Sequence, residues 1–261
     1  MELERKLAIK HDYLHLFMSN ASLAKKYGIH RKTVKECLQS QGVKLRTRTP
    51  KTSVNHFFFS EYNAISCYWA GFILADGYIR TNRRFNLHIK LQKQDVGHLE
   101  KFKSDIEFCG RILEYPDYFS ISISSSQLLF DLADKFEIHN NKSLTCRISD
   151  KIPSEYLKDY IRGYFDGDGC ITRTSIEAIS FTGTHKTTSF IRDYFHDVCG
   201  IRMRSKNKPD ITQKKGGKIS IIQYSGKSAF RCLKHMYDGS KTFLERKFFK
   251  YRTWIPKYSI T

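Results

Sequence analysis

Two carboxylates sit where chemistry at a phosphate could be done. Asp76 lies near the end of "YWAGFILADGY" (Tyr68–Tyr78), and Asp168 near the end of "YIRGYFDGDGC" (Tyr160–Cys170). The stretches share a skeleton. Trp69-Ala70-Gly71-Phe72-Ile73-Leu74-Ala75-Asp76-Gly77 aligns with Ile161-Arg162-Gly163-Tyr164-Phe165-Asp166-Gly167-Asp168-Gly169. Gly71 with Ala75, and Gly163 with Gly167, fall one turn apart and share a helix face. Small residues there let two helix backbones approach closely. Gly77 and Gly169 suit the left-handed position that ends a helix. Asp76 and Asp168 then stand at the negative ends of two adjacent helices, where each carboxylate is disfavoured by about 0.3–1 kcal/mol. The two also repel each other. Cations between them resolve the conflict. Mg²⁺ suits the place, because it takes oxygen ligands and is commonly held by one or two carboxylates together with substrate phosphates.

The alignment separates the two acids of the second stretch. Asp168 matches Asp76, whereas Asp166 faces Leu74 and is read as hydrogen-bonding locally. Arg162 stands where the first copy has Ala70, which places a cation near a sheet or on the helix surface. A calcium-loop reading of "DGDG" fails. Asp166, Asp168 and Glu177 would take its first, third and twelfth places, but Cys170 and Ile171 would fall where an oxygen ligand and a glycine are required.

The elements around the motifs repeat as well. Residues 57–150 and 151–261 each read as αββαββα. A motif helix leads into a hairpin (about Tyr78–Gln92; about Cys170–Thr184), then a helix (Asp95–Phe108; Lys186–Cys199). A second strand pair follows (Arg111–Tyr115 with Tyr118–Ser124; Ile201–Lys206 with Lys218–Ser225), then a closing helix (Ser126–Phe136; Lys227–Tyr237). In Phe85–Gln92, the apolar Phe85, Leu87, Ile89 and Leu91 alternate with Asn86, His88, Lys90 and Gln92. Ser120, Ser122 and Ser124 oppose Ile121 and Ile123. Arg202, Arg204 and Lys206 oppose Ile201 and Met203. With Arg80 and Arg173, these polar faces carry groups that contact base edges and phosphates.

Residues 1–52 form a separate small all-α unit. "NASLAKKYGIHRKTVKECLQSQGVKLR" reads as a short helix (Ser22–Tyr27, with Ser22 as N-cap), a break at Gly28 and a second helix (about His30–Leu38). Ala24, Ile29, Val34 and Leu38 would be buried between them, and a helix at about Leu3–Met18 completes three. This is a helix-turn-helix pattern whose second helix exposes His30, Arg31, Lys32 and Lys35. Residues 1–56 hold 12 Lys and Arg against 4 Asp and Glu. A basic linker, "RTRTPKTSVNH", joins this unit to the rest.

Composition points the same way. The 261 residues carry 45 Lys and Arg against 26 Asp and Glu, a net +19, which calls for a polyanionic partner. The longest apolar run near the motifs is too short to span a bilayer. "MELERKLAIK" has acids and no apolar signal core. A cytoplasmic, nucleic-acid-facing protein with no membrane role is the expectation. The seven cysteines are scattered without a CxxC, which argues against a disulfide framework or a structural zinc site. His196 and Cys199 make a lone HxxC pair.

Both nonapeptides resemble the motif of the LAGLIDADG homing endonucleases, in the single-chain form with two motifs, and the resemblance covers about residues 57–261. It implies an α+β fold, a pseudo-two-fold pair of αββαββα units whose sheets form a saddle over a DNA major groove. Gly71, Ala75, Gly163 and Gly167 would line the interface between motif helices. Asp76 and Asp168 would bind Mg²⁺ or another divalent cation at the scissile phosphates, assisted by the carbonyls of Ala75 and Gly167. The resemblance also implies a basic residue after each closing helix: Lys142 in the first half, and Lys241 or Lys247 in the second. A monomer would cleave both strands of a long asymmetric duplex site and serve intron mobility. The same fold occurs in intron-RNA maturases and in regulators that pair it with a helix-turn-helix. Those regulators commonly have degenerate motif acids; here both acids are present.

Overall fold

The computed structural model describes residues 3–14, 18–43, 45, 53–81, 85–140, 145–173, 176–202, 211–213 and 217–258. The chain divides into two units, Met1–Thr52 and Ser53–Thr261.

Among the described residues the first unit holds three helices: α1 (Leu3–Leu14), α2 (Asn20–Tyr27) and α3 (Arg31–Ser40). Ile9, Tyr13, Leu23, Val34, Cys37, Leu38 and Val43 form its core. The N-cap of α2 is Ser19, whose hydroxyl accepts from the Ser22 amide at 3.1 Å; the cap therefore lies three residues before Ser22, where it was expected. Gly28 adopts φ 61°, a left-handed turn that a side chain would strain, and it donates back to the Ala24 carbonyl. His30 caps α3. Buried Asp12 accepts from Lys26 Nζ at 2.6 Å and from Tyr27 Oη at 2.7 Å, which pins α1 to α2. Arg31, Lys32 and Lys35 are exposed on α3.

The second unit contains two copies of one plan. The first has α4 (Ala64–Asp76), β1 (Gly77–Arg80), β2 (Asn86–Gln92), α5 (Val96–Asp105), β3 (Leu113–Glu114), β4 (Tyr118–Ser124) and α6 (Ser126–Phe136). The second has α7 (Ser154–Asp168), β5 (Gly169–Arg173), β6 (Glu177–Gly183), α8 (His185–Cys199), β7 (Ile211–Gln213), β8 (Ser220–Ser225), α9 (Gly226–Tyr237) and α10 (Glu245–Tyr258). Each copy builds a four-stranded antiparallel sheet, ordered β1-β2-β4-β3 and β5-β6-β8-β7. Leu87, Ile89, Ile121 and Ile123 face the core from the first sheet; Ile171, Ile179, Phe181 and Ile222 do so from the second. Phe85, at the edge of the expected apolar face, is exposed.

Helix α4 is apolar around its circumference because it is surrounded: Cys67 to Leu74 are all buried. Its start is fixed by Asn63, which accepts from the amides of Ile65 and Ser66, while the Asn63 amide donates back to Ser66 Oγ. Helices α4 and α7 cross with their backbones in contact, reciprocally. A Cβ added at Gly71 would run into the Tyr160 carbonyl and lie 3.0 Å from the Tyr164 amide nitrogen. One at Gly163 would run into the Tyr68 carbonyl and lie 2.9 Å from the Phe72 amide nitrogen. Tyr160 and Tyr68 occupy aligned places, so the contact obeys the internal two-fold.

Several boundaries differ from expectation. α1 ends at Leu14. Gly77 and Gly169 are not left-handed: both are extended (φ −75°, ψ 144° and φ −81°, ψ 158°), and each opens a strand directly. Glycine is needed there for room, since a Cβ at Gly77 would sit 2.7 Å from the Ile73 carbonyl and one at Gly169 2.5 Å from that of Phe165. The strand expected at Ile201–Lys206 is not found at Ile201–Arg202. Residues 203–206 lie outside the described residues, and the strand described beside β8 is Ile211–Gln213. α10 was not anticipated.

The interface predicts a specific fragility. Gly71→Val, and separately Gly163→Ala, should lower unfolding free energy by about 3 kcal/mol or more, because backbone atoms cannot yield as a side-chain tip does. Urea denaturation checks this; an unchanged midpoint in both variants would contradict the packing.

Candidate functional site

The crossing delivers the two acids to one place. Each motif helix ends at its aspartate, and Asp76 and Asp168 are both exposed at the C-terminal ends of α4 and α7. A Cβ at Gly167 would lie 3.4 Å from Asp76 Oδ2 and would run into the Ala75 Cβ. The Asp76 carboxylate thus lies over the residue that precedes Asp168. Only small residues at 75 and 167 allow this.

Lys247 occupies the same end of the helix pair. Its side chain is buried, with the residue 2% exposed. Its ammonium donates to the carbonyls of Phe165 (2.5 Å), Asp166 (2.8 Å) and Gly169 (2.6 Å), with Gly167 at 3.4 Å. A cation there offsets the negative helix end. Burial brings its pKa down to about 8, with the Asp166 and Asp76 carboxylates acting the other way. Lys241 is exposed in a groove with Asn63, Ala64 and Ile65, at the N-terminal end of α4 and so far from the acids. The structure therefore puts Lys247, and not Lys241, beside the acidic pair. Lys142, Arg204 and Lys206 lie outside the described residues, as does the side chain of Arg173 on β5.

Two other motif residues are buried. Asp166 is 1% exposed and bonds across the fold rather than locally: it accepts from Tyr68 Oη (2.7 Å), Tyr237 Oη (2.5 Å) and the Leu244 amide (2.8 Å). Burial raises its pKa, against the opposing effect of Lys247. Arg162, 1% exposed, is neither near a sheet face nor at the surface. It pairs with Asp159 at 2.8 Å and donates to the carbonyls of Thr242 and Met236. The first turn of α10 straps the halves together: Lys101 of α5 holds Glu245 at 2.6 Å, and Arg246 Nε reaches both carboxylate oxygens of buried Asp95.

A groove of about 540 Å³ runs from Asp76 onto the first sheet, lined by Tyr78, Arg80, His88 and Lys90. Register explains the grouping. Tyr78 pairs with His88 and His88 with Ser122; Arg80 pairs with Asn86; Lys90 pairs with Ser120. Ser122, Lys90 and Gln92 are exposed. Burial, then Lys90 and Arg80, hold the His88 imidazole below its ordinary pKa, so this face keeps an uncharged ring between two cations. Tyr78, 60% exposed, was missed by sequence reasoning although it follows the motif glycine directly. So were two cross-strand rows on the expected outward face of the second sheet, Cys170, Ser180 and Gln223 in one and Thr182, Ile221 and Thr212 in the other. The alternation of Ser180 and Thr182 with Ile179 and Phe181 carried that signal. Arg202 is exposed but stands outside any strand.

The donor set suits an oxygen-seeking cation. Among the described residues no three His, Cys, Asp or Glu side chains gather into a closed metal cluster. Two exposed carboxylates flanked by helix-end carbonyls leave most positions for water and phosphate oxygens, as Mg²⁺ prefers and structural zinc does not. All seven cysteines are free.

No family model and no curated protein sequence matches the chain. Solved structures do. I-SmaMI bound to uncleaved DNA target in the presence of calcium ions matches with TM-score 0.51 and 14% identity, covering 76% of this chain and 93% of that one. I-LtrWI, a LAGLIDADG homing endonuclease bound to target DNA, matches with TM-score 0.52 and 10% identity, over 76% and 92%. I-AabMI bound to uncleaved DNA matches with TM-score 0.50 and 14% identity, over 76% and 91%. The fold is that of the LAGLIDADG homing endonucleases. In this LAGLIDADG fold the two motif copies supply the central helices, and the sheets carry the outward polar faces. Among the described residues no helix is long and apolar enough to cross a membrane.

A buried imidazole beside the motif helices gives a pH prediction. His98 is bonded at 3.0 Å to Tyr68 Oη, and burial brings its pKa down to about 3. Unfolding returns it to about 6.5, so the unfolded chain binds the extra proton, and stability should fall as pH drops from about 6.5 to about 3. His98→Phe should remove up to about 1.4 kcal/mol per pH unit of that slope. Urea titrations across pH check it; parallel slopes would contradict it.

Proposed function

We propose that this chain is a site-specific double-strand DNA endonuclease in which Asp76 and Asp168 hold divalent cations, Mg²⁺ in the cell. The observation that carries the reading is the Asp76 carboxylate lying over Gly167, beside Asp168, at the mouth of a basic sheet face. Bound Mg²⁺ would supply an activated water and charge stabilisation at the scissile phosphate. Asp76, Asp168 and the carbonyls of Ala75 and Gly167 are the groups that would hold it. Lys247 fixes the carbonyls around Asp168 and adds positive charge where phosphate charge builds up. Lys142 is proposed for the matching role in the first half. Arg80, Asn86, His88, Lys90, Gln92, Ser122, Arg173, Arg202, Arg204 and Lys206 would contact a long asymmetric duplex. Arg31, Lys32 and Lys35 of α3 would extend that contact as a helix-turn-helix. Both halves are in one chain, so a monomer suffices.

The test starts from a duplex library with a randomised segment, incubated with Mg²⁺ or with EDTA. Cleavage of recovered sites should require Mg²⁺. Asp76→Asn and Asp168→Asn should each lower it about a hundredfold or more with duplex binding retained. Binding without cleavage by the wild type would favour a regulator, and selective binding of intron RNA a maturase. Lys247→Met should cost about a hundredfold in cleavage, while Lys241→Ala stays within about threefold; the reverse ranking would contradict the assignment.

The first unit has its own readout. Replacing Arg31, Lys32 and Lys35 together with alanine should weaken duplex binding. It should also flatten the log–log salt dependence by roughly 0.9 for each phosphate that is no longer neutralised. An unchanged slope would remove α3 from the interface.

A further inference from the structure

We infer that Asp166 is a positioning residue that holds Asp168 in place, so that it serves one of the two strand cuts more than the other. The inference rests on the endonuclease reading above.

One carboxylate ties three elements to the last turn of α7. Tyr68 comes from the partner motif helix α4, Tyr237 from the closing helix α9, and the Leu244 amide from the segment that leads into α10. Tyr68 Oη is itself bonded to His98 of α5, so the chain of contacts reaches the first half's outer helix. Lys247 binds the carbonyls of Phe165, Asp166 and Gly169, which flank Asp168 on both sides. Asp166 supplies negative charge beside that buried ammonium. Asp168 therefore projects from a turn whose backbone is held before and after it.

The half that carries Asp76 is built differently. Its aligned residue is Leu74, buried to 2% exposure, and a leucine side chain accepts no hydrogen bond. Leu74 shows that this position of a motif helix can be filled with apolar bulk. A buried carboxylate is costly unless fully bonded, and replacement by apolar side chains is often neutral or stabilising. An acid kept here in one half alone points to a task beyond packing, and its bonds converge on the turn that aims Asp168. Displacement of a reacting group by about 1 Å can cost about a hundredfold in rate.

The test is a strand-resolved one. A linear duplex carrying a site recovered from the randomised library is labelled on each strand, and single-turnover rates are followed for each. The strand slowed more by Asp168→Asn than by Asp76→Asn is the one assigned to Asp168. Asp166→Asn should slow that strand about tenfold or more relative to the other, with duplex affinity within about threefold of wild type. Tyr237→Phe, which removes one of the three donors, should move the ratio the same way by less. If thermal melting shows Asp166→Asn unfolded, Tyr237→Phe decides. An equal fall on both strands, or an unchanged ratio in the folded variants, would overturn the inference while leaving the endonuclease reading intact. A wild type that cleaves no recovered site overturns both.

Discussion

Everything at the acidic site depends on the backbone contact between α4 and α7. Gly71 lies against the Tyr160 carbonyl and Gly163 against the Tyr68 carbonyl, with no side chain between. That contact sets the separation of the two helix ends. It also fixes where the strands begin, because β1 and β5 start at the residue after each aspartate. The sheets inherit their placement from the same crossing, and with it the groove from Asp76 to Arg80, His88 and Lys90.

Close packing of two helix ends brings carboxylates and helix-end carbonyls together, which is unfavourable without positive charge. The protein supplies some of that charge itself. Lys247 is buried against four carbonyls at the end of α7, and Arg162 is buried against Asp159 and two carbonyls further back. Burying these cations is tolerable because nearly every donor is matched. The remaining demand for charge falls at the exposed aspartates, where a divalent cation and a phosphate would meet. The internal two-fold is kept in topology and broken in chemistry, with Asp166 facing Leu74 and Arg162 facing Ala70.

Much of this was legible in the sequence. Two copies of a Gly-x-x-x-small pattern ending in Asp-Gly predicted a close helix pair with acids at its end, since spacing along a helix converts directly into a shared face. Period-two alternation in Asn86–Gln92 and Tyr118–Ser124 located the outward sheet face. Long-range information was not legible. Asp166 bonds to residues 71 to 98 positions away, which no local pattern reveals. The choice between Lys241 and Lys247 needed α10, whose start places Lys247 under α7; Phe248, Tyr251, Trp254 and Ile255 do carry helical spacing, but Pro256 masks it. By residue type Gly77 and Gly169 suit a left-handed helix end, because glycine commonly ends helices that way. Here the chain passes straight into a strand, and glycine is required by the preceding turn's side chain and carbonyl. β7 was not located because three residues, Ile211–Gln213, are too few to show period-two alternation.

The central claim is that one crossing places Asp76 and Asp168 at a shared phosphate-facing cation site. Crystals of the protein on a recovered duplex site, soaked with Mn²⁺ in place of Mg²⁺, test it most directly through anomalous scattering. The account predicts anomalous peaks within ligand distance of both carboxylates and next to the DNA backbone. Peaks absent from both aspartates, or found only elsewhere on the protein while the duplex is bound across the sheets, would contradict it.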